Sequence, residues 1–144
     1  MPTVEERFSA ALHSTARAWR LAVDRRLRHL GMSQASWLTV AMVARAQEPL
    51  RQVELAQRVG VEGATMAVML NRLTRAGLVQ RTASSADRRV KLVSLTPAGE
   101  ALFEQVRTQA GAVRKALLKG MEPAALLAAT ELLEGLQAKL DDEP

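Results

Sequence analysis

The feature that most restricts the fold is a change of hydrophobic period after Gly77. Before this glycine, apolar residues recur every three or four positions, which is the spacing of amphipathic helices. From 78 to 82 and from 90 to 95 the period falls towards two, which predicts two strands of a β-hairpin around a polar tip at 83–89. Helical spacing then resumes after Pro97. We therefore expect a mainly α fold that contains one small β-hairpin.

Long helices are predicted on both sides of this hairpin. An amphipathic pattern over 4–30 predicts the first helix, and a second helix is expected from a Ser33 cap to about Ala46. After the hairpin, a threonine followed by proline predicts the start of a helix over 96–119. A final helix is expected after Pro123, with leucines at helical spacing.

Two short helical patterns lie directly before the hairpin, at 51–60 and 63–76, with Gly60 in the tight turn between them. The first is predicted to bury Val53, Leu55, Ala56 and Val59, and the second Met66, Met69, Leu70 and Leu73. The opposite face of the second presents Thr65, Val68, Arg72 and Arg75 at a spacing of three, four and three. This arrangement is typical of a helix-turn-helix, although an ordinary buried helical pair gives the same pattern.

The positive charge of the chain is confined to the same region. Residues 51–91 contain eight Lys/Arg and three Asp/Glu, so they hold the whole formal excess of +5. A local surplus of this kind attracts polyanions, and a helix-turn-helix places its second helix in the major groove of duplex DNA. We therefore expect double-stranded DNA as a partner.

The hairpin tip carries residues suited to DNA contact. Arg88 and Arg89 are placed to enter a minor groove, whose negative potential attracts guanidinium groups, and Arg81 and Lys91 could hold phosphates. Asp87 could hydrogen-bond Arg89 and fix its direction. The alternative is a solvated tip in which Asp87 only neutralises charge.

Composition argues against several other classes of protein. The chain has no cysteine, which excludes disulfides and thiol redox sensing, and its two histidines lie too far apart in sequence for a standard zinc cluster. No apolar run of membrane-spanning length and no signal peptide is present, so we expect a cytoplasmic protein without a membrane or metal partner. Without a glycine-rich phosphate loop or a nucleophile motif, we expect neither an enzyme nor a cofactor.

These motifs resemble the MarR family of winged helix-turn-helix regulators, specifically its SlyA-like branch. The matching residues are Leu55-Ala56, Gly60, 70–73, Ala76-Gly77-Leu78-Val79, Ser85-Ala86-Asp87-Arg88-Arg89, 95–99, and the stretch from Trp19 to Trp37. The resemblance implies one domain over 1–144, with a winged helix-turn-helix region at 33–95 and dimerisation helices at 1–30 and 97–141. It also implies a homodimer on a pseudo-palindromic operator.

The chain departs from the family in the middle of the second short helix. Where relatives commonly carry a polar or basic base-reading residue, this sequence has Val68, flanked by Ala64 and Ala67. Thr65 and Arg72 remain for hydrogen bonding, and Val68 could contact a thymine methyl group. We expect the wing and DNA shape to carry much of the specificity.

The resemblance further implies an anionic aromatic effector between the dimer helices and the winged region. Arg17, Arg20, Trp37, Met66 and Met69 are the candidate site, in which guanidinium groups would bind the carboxylate and the indole would contact the ring. Taken separately, Trp37 and the methionines are better explained as core residues, and the arginines as a solvated helix face.

Leucines 126, 133, 136 and 140 form an apolar stripe on the last helix that favours self-association, with packing inside the monomer as the alternative. A sequence-nonspecific DNA-coating protein and a helical protein-interaction module also fit the pattern. Target genes, operator sequence and the direction of regulation cannot be read from the residues.

Overall fold

The structure, a computed structural model, describes residues 1–143 and is mainly helical with a small antiparallel sheet, which confirms the predicted fold class. In chain order the elements are α1 (Val4–Leu27), a 3-10 turn (Arg28–Leu30), α2 (Gln34–Arg45), β1 (Leu50–Arg51), α3 (Gln52–Val59), α4 (Gly63–Arg75), β2 (Val79–Ala83), β3 (Lys91–Leu95), α5 (Pro97–Leu118) and α6 (Pro123–Asp141). Among the described residues, every helix is too short or too polar to cross a lipid bilayer.

The chain forms two compact units, and the boundary between them falls inside α5. The first runs from Met1 to Val113 and contains the helix-turn-helix and the sheet. The second begins at Arg114 and contains the end of α5 and all of α6.

Side-chain caps fix where the first two helices begin. The hydroxyl of Thr3 accepts a hydrogen bond from the Glu6 backbone N–H (3.2 Å), while the Glu6 carboxylate accepts one from the Thr3 N–H (2.7 Å). Ser33 caps α2 by accepting from the Ser36 N–H at 3.2 Å, as predicted. α1 is shorter than predicted, because residues 28–30 tighten into the 3-10 turn before Gly31.

The sheet has three strands in the order β1-β3-β2, all antiparallel. β2 and β3 form the predicted hairpin, with Val79 opposite Leu95 and Ala83 opposite Lys91. The sequence did not predict β1, and its assignment of Arg51 to a helix is wrong because α3 begins one residue later. This two-residue strand has no local alternation to reveal it, since its hydrogen-bonding partner is β3, far along the chain.

A single apolar cluster supports the winged region. Its fully buried members include Leu55, Met66, Leu70 and Val93, supplied by α3, α4 and β3. The prediction that Val53 points inward is wrong, because its side chain is 67% exposed. At about 100° per residue, Val53 lies about 60° beyond the arc that the other apolar residues of α3 cover.

A second cluster joins α1, α2 and α5 within the first unit. Val23, Leu27, Trp37, Val106 and Val113 are its buried members. The indole Nε1 of Trp37 donates a hydrogen bond to Asp24 of α1 at 3.3 Å, so the polar end of this buried side chain is satisfied.

The start of α5 is fixed to the connection between α4 and β2. The Thr96 hydroxyl donates to the Gly77 carbonyl, and the Thr96 N–H donates to the Leu78 carbonyl at 3.1 Å. The Thr96 hydroxyl also accepts from the Gly99 N–H at 3.1 Å. Gly99 is buried, and a Cβ atom there would collide with the Leu78 carbonyl oxygen. Only glycine therefore allows this close approach.

Candidate nucleic-acid interface

The turn between α3 and α4 is closed by backbone hydrogen bonds to one carbonyl. The N–H groups of Gly60 (2.9 Å) and Val61 (3.0 Å) both donate to the Ala56 carbonyl. Gly60 has a φ of 81°, in the left-handed region that favours glycine, and Ala56 is 6% exposed. The chain consequently reverses within three residues, and α4 begins at Gly63.

α4 has the two faces that the sequence predicts. Its apolar residues 66, 69, 70 and 73 are buried, which anchors the helix on the core. On the opposite face, Ala64, Thr65, Val68, Arg72 and Arg75 are all exposed. Val68 is 53% exposed, so a large apolar side chain stands at the centre of the outward face.

Sequence reasoning missed Asn71 on the same face. At about 100° per residue, Asn71 lies about 60° from Val68 around the helix axis, as close as Thr65 on the other side. It is exposed, and its carboxamide carries the donor and acceptor groups that recognise adenine in the major groove. A helical projection centred on Val68 would have identified this residue from the sequence.

Asn71 also connects α4 to the wing. The guanidinium of Arg81 on β2 donates to the Asn71 side-chain carbonyl at 2.5 Å. The side chain of Arg81 therefore points towards α4, and its predicted phosphate contact stays a prediction. The hydrogen bond holds the carboxamide in one orientation and couples the position of the hairpin to that of the helix.

The wing is the β2–β3 hairpin with its tip at residues 84–90. Val79 and Val93 are buried and anchor its base, and the tip is closed by hydrogen bonds from the N–H groups of Ser84 to the Val90 carbonyl (2.9 Å) and of Val90 to the Asp87 carbonyl (3.0 Å). Arg88 and Lys91 are exposed and form no ion pair within residues 1–143. The wing thus presents two cationic side chains without an ion-pair partner in the described part of the chain, Arg88 on the tip loop and Lys91 at the start of β3.

The predicted contact between Asp87 and Arg89 is confirmed. Asp87 Oδ1 accepts from the Arg89 backbone N–H at 3.0 Å and from Nε at 3.2 Å, while Oδ2 accepts from Nη2 at 3.2 Å. The Arg89 side chain is nevertheless 91% exposed. These hydrogen bonds hold the pKa of the Asp87 carboxyl below its ordinary value of 3.8. Arg89 is thus held in one direction while it remains accessible to a partner.

Because the pKa of Asp87 is lowered on folding, its ionised form stabilises the wing above about pH 4, and this contribution is lost as the pH falls through the lowered pKa. Neutral pH therefore leaves the pairing intact.

Replacing Asp87 with asparagine is expected to reduce discrimination between duplexes. The amide retains one acceptor for Arg89 but loses the charge and the second acceptor, so Arg89 samples more directions, while the wing becomes more positive. We expect binding to scrambled duplexes to rise slightly and the ratio of specific to nonspecific affinity to fall about tenfold. Fluorescence anisotropy with both duplexes measures this ratio, and an unchanged ratio would contradict the positioning role of Asp87.

The candidate effector residues do not come together around one cavity in a single chain. Met66 and Met69 belong to the core beneath the wing, at 0% and 8% exposure, and Trp37 belongs to the second cluster. Arg17 and Arg20 are exposed on α1. The predicted effector site therefore stays a prediction that requires a second chain or a rearrangement.

A cavity of about 630 Å³ lies elsewhere, between the end of α2, β3 and the start of α5. Polar and apolar residues both line it, Val93 and Phe103 among the latter, and its charged lining residues are Glu48, Glu100 and Glu104. This lining does not favour an anion.

Comparison with known proteins agrees with this geometry. The sequence profile of the MarR family matches residues 30–90. Transcriptional regulator PA3341, known from a crystal structure, has 41% sequence identity to this chain. The two structures superpose with a TM-score of 0.86, and the match covers 94% of this chain and 99% of PA3341. Wild-type MarR from E. coli in its apo form has 23% identity, a TM-score of 0.78, and coverage of 94% and 98%. CouR from Rhodococcus jostii RHA1, bound to p-coumaroyl-CoA, has 20% identity, a TM-score of 0.78, and coverage of 94% and 95%. The two less similar structures establish the shared fold, and with PA3341 and the profile they lead to one conclusion: the chain belongs to the MarR family of transcriptional regulators.

Proposed function

We propose that this regulator binds a pseudo-palindromic operator as a homodimer, with α4 in the major groove and the wing in the adjacent minor groove. The observation that carries the proposal is that the exposed face of α4 lies beside the wing, joined to it by the hydrogen bond between Asn71 and Arg81, while the tip arginine is paired with Asp87 and remains exposed. The proposed DNA-contacting residues are Ala64, Thr65, Val68, Arg72, Arg75, Arg81, Asp87, Arg88, Arg89 and Lys91, with Asn71 added.

Within this proposal, the recognition helix reads few hydrogen-bonding groups. Val68 is suited to a thymine methyl group, and Asn71 to adenine. Minor-groove width, read by Arg88 and Arg89, then supplies much of the remaining specificity. The wing sequence and the N-terminal helices also support assignment to the SlyA-like branch.

The direct test is selection of duplexes from genomic fragments, followed by anisotropy titrations of the selected and scrambled sequences at several salt concentrations. The proposal expects affinity for the selected duplex at least about a thousandfold higher, with a steep salt dependence for both. Equal affinities would instead identify a DNA-coating protein. Absence of binding even at low salt would favour a protein-interaction module.

The homodimer is supported by the exposed apolar surface of α6. No residue of this helix is buried, and five of its leucines are between 37% and 59% exposed: Leu126, Leu127, Leu132, Leu133 and Leu140. An apolar surface of this extent on a water-soluble chain marks an interaction site. We propose that residues 1–30 and 97–141 supply the dimer interface.

Replacing Leu133 with glutamate is expected to shift the dimer towards monomer and to weaken operator binding by at least about a hundredfold, because a buried unpaired carboxylate opposes association and a monomer engages one half-site. Light scattering coupled to size-exclusion chromatography measures the mass. Glu131→Gln, on the same helix, is the control. A variant that remains dimeric at micromolar concentration would remove α6 from the proposed interface.

We also propose that a small anionic aromatic ligand modulates DNA binding. Support comes from the exposed arginines of α1 and from the relative CouR, whose structure contains p-coumaroyl-CoA. Trp19 and Trp37 are intrinsic reporters, so titration of the purified dimer with salicylate should change tryptophan fluorescence. No change at millimolar ligand would count against an effector of this class.

A further inference from the structure

A cleft of about 330 Å³ lies beside the wing, at the foot of its tip loop, between the start of α3 and the start of β3. It is lined by Arg51, Gln52, Val53, Arg89, Val90 and Lys91. Antiparallel pairing of β1 with β3 places Arg51 opposite Leu92, so strand register brings Arg51 beside Lys91 although they are distant in sequence. We refer to this feature as the wing-base cleft.

The lining of the wing-base cleft is cationic. Three of its six residues are Arg or Lys, and none is acidic. Arg51 pairs with Glu54 (2.6 Å) and Arg89 with Asp87 (3.2 Å), but neither carboxylate lines the cleft. Lys91 has no ion-pair partner among residues 1–143. Positive charge therefore surrounds a cleft whose accessible wall is otherwise mainly apolar.

The backbone adds to this polarity. Arg51 occupies the N-cap position of α3 but forms no side-chain cap, whereas α1 and α2 are capped by Thr3 and Ser33. Gln52 and Val53 are the first two residues of α3, where N–H groups lack partners within the helix. The same residues line the cleft, so these donors supplement its cationic side chains.

We propose that the wing-base cleft binds a backbone phosphate of the duplex, with Arg51 and Lys91 as its cationic residues. This inference rests on the proposed function. A wing that enters a minor groove has a sugar-phosphate strand along each side, and the cleft lies beside the wing where β3 leaves the tip loop. Val53, apolar and 67% exposed, forms part of the lining, where it can contact the adjoining deoxyribose.

Such a contact has a distinct thermodynamic signature. A phosphate contact carries no sequence information, so its loss weakens all duplexes alike and reduces the salt dependence of binding. For Arg51→Ala we expect about a tenfold loss of affinity for selected and scrambled duplexes, with the slope of log affinity against log salt reduced by about 2 per dimer.

The chain offers a matched control in Arg58. This residue is exposed, lies on α3, which follows Arg51 directly, and also pairs with Glu54, at 3.9 Å, but it faces a different depression that includes Pro49 and Leu50. Arg58→Ala therefore removes one charge and one ion pair to the same carboxylate without altering the cleft. We expect the DNA affinity of Arg58→Ala to remain within about twofold of wild type, and the slope of log affinity against log salt to stay unchanged.

Charged substitutions of Val53 test whether the cleft contacts DNA, because a negative charge should lower the affinity and a positive charge should raise it. Val53→Glu is expected to weaken binding to every duplex and Val53→Lys to strengthen it at low salt, because one exposed position receives opposite charges. A gain of affinity in the lysine variant cannot be produced by misfolding.

Duplexes with single methylphosphonate substitutions identify the phosphate itself. In wild type, one neutralised position per half-site is expected to weaken binding, and in Arg51→Ala the same substitution should weaken it less, because only Lys91 and the backbone donors remain to lose the contact. The proposal is overturned if the two effects are additive, or if Arg51→Ala binds as wild type does. If the wild-type protein binds no duplex, the proposed function is overturned. If the wild-type protein binds DNA and the Arg51 and Val53 variants bind equally well, only the proposed phosphate contact of the cleft is overturned.

Discussion

Replacing Gly99 with alanine is expected to destabilise the protein by about 3 kcal/mol or more, which corresponds to a fall in melting temperature of roughly 10 °C. Two effects of opposite sign compete. Alanine is preferred over glycine inside a helix by about 1 kcal/mol, and Gly99 lies in the first turn of α5. Against this, the added Cβ collides with the Leu78 carbonyl oxygen. The steric effect dominates because the obstacle is backbone, which cannot change rotamer.

The same collision has a structural consequence. The Leu78 carbonyl also accepts the Thr96 N–H at 3.1 Å, so displacing α5 breaks the hydrogen bonds that fix its start to the root of the wing. We therefore expect the variant to lose protection from hydrogen exchange first in β2 and at the beginning of α5.

Gly63→Ala provides the control for this prediction. Gly63 is the first residue of α4, and no atom lies within 4 Å of a Cβ built there. The melting temperature of the Gly63→Ala variant should equal or slightly exceed that of wild type, as measured by calorimetry at equal protein concentration. If the melting temperature of Gly99→Ala lies within about 2 °C of wild type, the start of α5 can move away from the Leu78 backbone at little cost, and the prediction is wrong.

The local sequence pattern was sufficient to predict the features that depend only on residues close together in the chain. The four buried residues of α4, the glycine turn at Gly60, the Ser33 cap and the hairpin were all predicted, since each depends on residues a few positions apart. The contact between Asp87 and Arg89 belongs to the same class, because the residues are two positions apart.

Features that depend on distant residues were not predicted. β1 exists because β3 offers a free edge, and Arg51 acquires its place in the wing-base cleft only through that pairing. The requirement for glycine at position 99 comes from Leu78, which the sequence does not mark as a neighbour. The inward prediction for Val53 follows from its apolar side chain alone, whereas its angular position around the axis of α3 lies outside the buried face. Single-sequence reasoning therefore identified the helix-turn-helix and the wing but not the contacts that join them.

Replacing Arg89 with alanine is expected to weaken operator binding far more than replacing Val68. The proposed dimer presents two wings, and loss of a directed arginine at about 2 kcal/mol each gives roughly a thousandfold loss of affinity. Val68→Ala removes two methyl groups from each recognition helix, and at up to about 0.8 kcal/mol per half-site the loss is about tenfold. Both side chains are exposed, and Arg89→Ala loses only its surface pairing with Asp87, so global stability should change little in either variant.

Two further variants separate charge from direction at Arg89. Arg89→Lys keeps the charge but not the forked donors that engage both oxygens of Asp87, so we expect a loss intermediate between wild type and alanine. Arg58→Ala removes an arginine that is likewise paired with a nearby carboxylate, Glu54 at 3.9 Å, but lies on α3 outside the wing, and the affinity of this variant should stay near wild type. Anisotropy titrations at one fixed salt concentration compare all four. If Arg89→Ala and Val68→Ala lose affinity equally, the outward-held guanidinium is not the principal contact, and readout must then reside in the face of α4, where Asn71 is the next side chain to replace.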